Sequence, residues 1–333
     1  MNDAAVPVPA RAKTAVPHGL TQLGLVLHPY RDTSEIVTDI AGWAATRGVR
    51  LLAAGPSRPT NLPAAVTVLP RRRLARAADL LAAIGGDGTV LGALRLATDT
   101  GTPVLGVAFG HLGYLTDTNP EQLTVVLDQL AAGKHVRHWL PVLDVRWAPA
   151  ASAFDPADAA AGEPAGEPVT AVNDLVLART AGHGQASLAV TVGGDLFVRY
   201  STDAVIVATP LGSTAYSLAA GGPIASVNLD MLLITPVAPQ GFFSRTLLAA
   251  PTDLVEITVL ADSAPVTAEA DGQLVATLHP GARIRVRSTP ARTALVRLDA
   301  TASFYARVRR RLAVPDALVL GPVAEPRRSR RPE

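Results

Sequence analysis

Cysteine is absent from all 333 residues, which excludes disulfides, thiolate nucleophiles and sulfur-ligated metal sites. Aromatic residues make up only 4% of the chain, and lysine occurs twice, at Lys13 and Lys134. A nucleic-acid surface interleaves clustered cations with stacking rings, so the arginine clusters at Arg71, Arg72, Arg73 and at Arg309, Arg310, Arg311 are read as solvated faces. No apolar run approaches the roughly 18 residues of a membrane span. The opening MNDAAVPVPARAK also lacks the apolar core of a signal peptide. The expectation is a cytoplasmic protein with neither nucleic acid nor membrane as partner. Histidines offer no metal site either: His135 and His138 are three apart, but no third ligand lies near them. Nor is there a G-x-S-x-G elbow.

What is present alternates. Residues 1–19 read as a Pro- and Ala-rich disordered arm. An α/β nucleotide-binding domain is expected over 20–138. Buried strands at Leu23–Leu27, Val49–Ala53, Asp79–Ile84 and Pro103–Val107 are separated by helices, the pattern of a doubly wound parallel sheet. Ser34 can cap the first helix and Gly48 end it, while Asn119-Pro120-Glu121-Gln122 reads as a capping box. From 139 to 299 the runs become short and β-rich, predicting a second, mainly β, sandwich-like domain. It carries a low-complexity insertion at 149–168. Residues 300–314 are expected to return as a helix onto the first domain, leaving a tail at 315–333.

The sharpest local signal is Gly85-Gly86-Asp87-Gly88-Thr89, between a buried strand and a helix. Glycines permit a tight turn and close approach to a ligand, and a helix N-terminus offers unpaired amides to phosphate. Asp87 placed there can orient Mg²⁺ or accept a proton from an attacking hydroxyl; the plainer alternative is a capped turn. No Walker lysine follows, so this is not a P-loop. A second junction, Thr209-Pro-Leu-Gly-Ser-Thr-Ala-Tyr-Ser217 with Gly221-Gly222-Pro223, follows a strand and opens a helix. Its Ser213, Thr214 and Tyr216 are suited to a nucleoside, or to simple capping. Asn173-Asp174, Asp203 and Asp271 each read individually as turns.

Taken in order, these blocks resemble the NAD kinase family: GGDGT at Gly85, then Pro103-Val-Leu-Gly-Val-Ala-Phe-Gly-His-Leu-Gly-Tyr-Leu115, Asn173-Asp174, TPLGSTAYSLAAGGP, Ile234-Thr-Pro236 and Asp271-Gly272-Gln273. The resemblance spans about Leu20 to Leu312. It implies a kinase with Mg²⁺ and ATP or another phosphoryl donor, acting on the 2′-hydroxyl of the NAD adenosine, in a homodimer or homotetramer. It further implies Asp87 as base or orienting carboxylate, and Gly85, Gly86, Gly88 and Thr89 at the phosphates. Gly88, Tyr114, Asn173, Asp174, Asp203, Ser213, Thr214, Ala215 and Tyr216 would then line the acceptor site. No residue is expected to be a dedicated metal ligand. The sequence departs from the family where it has Asp174 for Glu, Ala108 for a polar residue, Ser201 for a basic one, Ala204 for Gly and Gln240 for His. That leaves as alternatives an enzyme for another nucleoside or nucleotide, and a catalytically weak nucleotide-binding regulator.

Overall fold

A computed structural model of the chain describes residues 19–55, 62–109, 113–116, 118–149, 168–298 and 304–312. The expected arm, insertion and tail lie outside these apart from their flanking residues.

Apolar runs such as Leu23-Gly24-Leu25-Val26 are buried on both faces, as the inner strands of a parallel sheet require. Strands β1 (Gln22–Leu27), β2 (Arg50–Gly55), β3 (Val66–Pro70), β4 (Leu80–Gly85) and β5 (Pro103–Ala108) lie in the order β5-β4-β1-β2-β3, every pair parallel. Helices α1 (Ser34–Ala45) and α4 (Leu123–Ala131) cover one face through Val37, Ile40, Leu123 and Leu127. On the opposite face α2 (Arg71–Ala77) and α3 (Asp87–Ala97) bury Leu74, Val90 and Leu94. The sheet is doubly wound, and its strand order reverses between β1 and β4. At such a switch point the loops leaving the carboxyl ends diverge and open a crevice for ligands. The chain segments there are 28–33 and 85–86.

Two local expectations gave way. Asn119 is extended and leads into a 3₁₀ turn at Pro120–Gln122, with no side-chain cap bond; α4 starts only at Leu123. Likewise Ser34 is the first residue of α1, and its own N–H is bonded by Asp32 Oδ1 at 2.9 Å. Gly48, at φ +67°, follows the other end of α1.

The second half is a sandwich. One sheet orders β13 (Leu247–Ala249), β12 (Leu232–Val237), β11 (Ala204–Ala208), β8 (Asp174–Arg179), β15 (Val266–Ala270) and β16 (Gln273–Leu278). The facing layer is β10 (Asp195–Thr202), β9 (Ala186–Val192), β14 (Val255–Val259), β17 (Arg283–Arg297), β6 (Val136–Ala148) and β7 (Val169–Ala171). Between them Leu143, Leu175, Leu188, Val205, Ile257 and Ile284 form a buried core. Strand β17 joins the two halves, running antiparallel to β6 along its length and to β14 at its start, and pairing in parallel with β5 at Ala294–Val296. After it, α6 (Phe304–Arg311) returns to the first half, where Arg311 lies 5.9 Å from the Tyr114 ring. No described helix is long and apolar enough to cross a membrane.

Candidate active site

The site begins with a close contact. Any Cβ on Gly85 would overlap the Thr89 side chain, so only glycine lets β4 turn into α3 there. The Thr89 and Val90 amides bond to Gly86 O at 2.9 and 3.2 Å, whereas the first amides of a helix have no carbonyl partner within it. Gly86 and Gly88 are exposed beside them.

Asp87 does not point along the helix. Its carboxylate crosses to the segment after β5, where Oδ2 accepts from Tyr114 N at 2.9 Å and Oδ1 from Leu115 N at 3.0 Å. A Cβ on Gly113 would displace this carboxylate, and Gly106 must be glycine because a Cβ would overlap Leu115 O. Residues 113–115, packed on Gly106, are thus the cradle of Asp87. A carboxylate has about four acceptor positions, and two amides leave the others for an incoming hydroxyl or cation. Around the cradle Arg297 donates to Tyr114 O at 3.3 Å. Burial raises the Tyr114 phenol pKa; Arg311 lowers it in part, and Asp87 adds to the rise.

The second wall is built on Asp271. Asp271 and Gly272 both have positive φ, at 48° and 72°, the two-residue turn that an Asp-Gly pair favours between β15 and β16. The Asp271 side chain is fully buried and accepts the consecutive amides of Val172 (2.9 Å), Asn173 (2.7 Å) and Asp174 (3.3 Å). It therefore fixes the break between β7 and β8. From α3, Arg95 Nε reaches Asp271 Oδ2 at 3.7 Å, and the same guanidinium bonds Gln273. The helix that starts with Asp87 is in this way tied to the Asn173-Asp174 turn. Asp174, 5% exposed, has its pKa pushed up to about 7, first by burial and then by the charge of Asp271, against a stabilising backbone bond from Tyr216. Burial likewise raises the pKa of Asp271, against its three amide bonds and Arg95.

The Gly-Ser-Thr segment closes against this turn. Thr209 Oγ1 donates to Val172 O at 2.7 Å, and the Thr209 amide to Asn173 O at 2.9 Å. A Cβ on Gly212 would overlap that Asn173 carbonyl. Leu211 and Val172 pack with Val90 and Leu94 of α3 in one buried cluster, so both glycine-rich junctions share a core.

Comparison with known proteins identifies the family. The family model for the ATP-NAD kinase N-terminal domain matches residues 23–135, and that for the C-terminal domain matches 172–298. NAD kinase 1 of Streptomyces avermitilis is 36% identical, across 90% of this chain and 88% of its own length. The chain belongs to the ATP-NAD kinase family. The NAD kinase of Moorella thermoacetica is 35% identical, across 84% of each protein. In fold, this member of the ATP-NAD kinase family is similar to yeast NADH kinase complexed with NADH (TM-score 0.75, 22% identity, 91% of this chain and 90% of that one). It is also similar to an NAD kinase from Archaeoglobus fulgidus in complex with ATP (TM-score 0.64, 23% identity, 87% and 99%).

Within this family member the expected site residues fall into three groups. Gly85, Gly86, Asp87, Gly88, Thr89 and Tyr114 gather at the switch point. Asn173, Asp174, Ala215 and Tyr216 gather at the second wall, with Tyr216 45% exposed; Thr214 is beside them, its hydroxyl bonded to Leu211 O at 3.2 Å. Two others stand apart. Ser213 is fully buried and bonded both ways to the Ala225 backbone, donating to its carbonyl at 3.2 Å and accepting its amide at 3.0 Å, so its hydroxyl is committed to the loop. Asp203 precedes β11 at the end of the β8–β11 pair remote from Asp174, which pairs with Ala208. It accepts from Arg179 Nε at 2.6 Å. Arg95 was not anticipated: a lone arginine on a helix carries no sequence signal, and its partner lies 176 positions away by residue number, at Asp271.

Proposed function

We propose that the protein transfers the terminal phosphoryl group of ATP to the 2′-hydroxyl of the adenosine ribose of NAD, giving NADP and ADP. The reading is carried by one observation: the Asp87 carboxylate is anchored by the Tyr114 and Leu115 amides at the switch point, beside helix-terminal amides suited to phosphate. Donor phosphates lie over Gly86 and Gly88. The adenosine rests on the wall of Asn173, Asp174 and Tyr216, which the Arg95–Asp271 pair holds to the same helix. Asp87 orients the 2′-hydroxyl and takes its proton as the hydroxyl oxygen bonds to the γ-phosphorus. The bond from that phosphorus to the β,γ-bridging oxygen breaks, and its electron pair leaves with ADP. Asp174 has a pKa near 7 and can both donate to and accept from a ribose hydroxyl at neutral pH.

Mg²⁺ keeps several waters and is bound by one or two carboxylates plus substrate phosphates. Asp87, with its unused acceptor positions, is the residue to hold it. When bound, the ion neutralises charge on the phosphates.

The test is purified protein with Mg-ATP and either NAD or adenosine, products read by mass. NADP formation is expected, and Asp87→Asn should lower turnover on the order of 10²–10⁴-fold with the fold intact. Phosphorylated adenosine with NAD untouched would move the acceptor to a free nucleoside. Tight nucleotide binding without any product would reject the enzyme reading.

A further inference from the structure

We infer that Arg31, on the loop after β1, is the cationic anchor for the donor's phosphates, facing the Gly86–Gly88 turn across the switch point. The inference rests on the kinase reading above and extends it to a residue outside every recognised motif. A nucleoside triphosphate carries several negative charges, yet the glycine turn contributes only amides and an acidic side chain. A phosphate site without a P-loop lysine calls for a cation on the opposite wall, and in a sheet of this order that wall is the loop leaving β1.

The loop is built to present such a group. His28 N donates to Ile84 O at 3.0 Å, tying the loop to the end of β4. His28 Nδ1 accepts both the Tyr30 and Arg31 amides at 3.1 Å, which curls the chain back over the sheet edge. Arg31 Nη1 then donates to Phe109 O at 3.3 Å, with the guanidinium 5.4 Å from the Phe109 ring centroid. Phe109 N in turn donates to Gly85 O at 3.2 Å. Arg31 is thus one residue removed from the glycine hinge. A guanidinium has five N–H donors in a planar fork, and the Phe109 contact engages one nitrogen of it. Arg31 is exposed, and none of the described ion pairs involves it. The neighbouring Asp32 carboxylate is turned to Ser34 N at the head of α1. Thr33, next in the loop, has a buried hydroxyl without a hydrogen-bond partner, a cost that rearrangement around a bound anion would relieve. An arginine serving only to stack on a phenyl ring would leave donor recognition untouched, which gives the test its edge.

The experiment compares wild type, Arg31→Ala, Arg31→Lys and Arg311→Ala by steady-state kinetics, with ATP and NAD varied separately. Tripolyphosphate binding is measured by calorimetry and thermal midpoints are recorded as a fold control. Wild type must first convert NAD to NADP; if it does not, the kinase reading fails and not the assignment of Arg31. With that established, Arg31→Ala should raise the KM for ATP and the Kd for tripolyphosphate on the order of tenfold, as for the loss of one charge-assisted hydrogen bond. The KM for NAD should stay near wild type, and Arg31→Lys should recover part of the loss. An ATP KM within about twofold of wild type, or equal rises for ATP and NAD, overturns the assignment. So does a donor defect that follows Arg311→Ala and not Arg31→Ala.

Discussion

Replacing Asp174 with Asn separates the cost of burying a charge from the use of that charge. Asp174 is 5% exposed, and its carboxyl is pushed from 3.8 up to about 7 by burial and by Asp271, with the Tyr216 amide opposing the rise. In the unfolded chain the same carboxyl titrates near its ordinary value, so the folded protein binds this proton more tightly. Stability therefore falls with pH across the interval where only the folded state retains the proton. The contribution is complete below about pH 4 and is lost as pH rises through about 7. The interval from 3.8 to about 7 is worth roughly 4 kcal/mol at about 1.4 kcal/mol per tenfold, an upper limit that water entry and side-chain relaxation reduce. Asn cannot ionise but can still accept the Tyr216 amide, so Asp174→Asn should escape the decline. Urea unfolding of both proteins at pH 5, 6, 7 and 8 should show the variant gaining on wild type by at least about 1 kcal/mol across the series, while NAD turnover drops. A second variant, Asp271→Asn, removes the neighbouring negative charge and should move the wild-type inflection to lower pH. If wild type and Asp174→Asn lose or hold stability in parallel from pH 5 to 8, the buried carboxyl does not hold the proton and the reasoning is refuted.

Gly113→Ala places a Cβ on the Asp87 carboxylate. Displacing a positioned group on that scale should lower kcat on the order of 100-fold, and unchanged turnover would remove the cradle from the mechanism. Gly212→Ala collides with the Asn173 carbonyl; the KM for NAD should rise and stability fall by about 1–3 kcal/mol, read by kinetics and urea titration. Arg95→Ala leaves the fully buried Asp271 carboxylate without its counter-charge and should cost about 1–3 kcal/mol, together with a higher KM for NAD. Ser213→Ala breaks a buried hydroxyl's bonds to Ala225. It should lower the unfolding free energy by about 1–3 kcal/mol while the surviving enzyme keeps near-wild-type KM values; a selective loss of NAD affinity would return Ser213 to the substrate.

The parallel sheet was legible because strands buried on both faces read as uninterrupted apolar runs, as Leu80–Gly85 does. β3 and α2 escaped for the opposite reason. Val66–Pro70 is five residues with three exposed, and Arg71-Arg-Arg-Leu-Ala-Arg-Ala77 buries only Leu74 and Ala75. In the sandwich, β15 and β16 are short and half-buried, and the turn between them was visible only as Asp271-Gly272. The two sites differ in the same way. Asp87 stands out as a carboxylate among glycines at a strand-to-helix junction, where a capped turn has the same local signature and only the order of the other blocks favours the site. Asp271 reads as an ordinary turn residue, since the amides it collects, at 172–174, lie about a hundred positions earlier. Gly106 and Gly113 are legible as glycines, but what passes close to them, the Leu115 carbonyl and the Asp87 carboxylate, is fixed only once β5 lies beside β4. The motif order therefore identifies the family, while the contacts across the candidate site (Asp87 to Leu115, Arg95 to Asp271, Arg31 to Phe109) are tertiary. Arg31 and Arg95 each look like an ordinary solvated arginine in the sequence, because the group each one meets, the Phe109 carbonyl or the Asp271 carboxylate, is brought to it only by the fold.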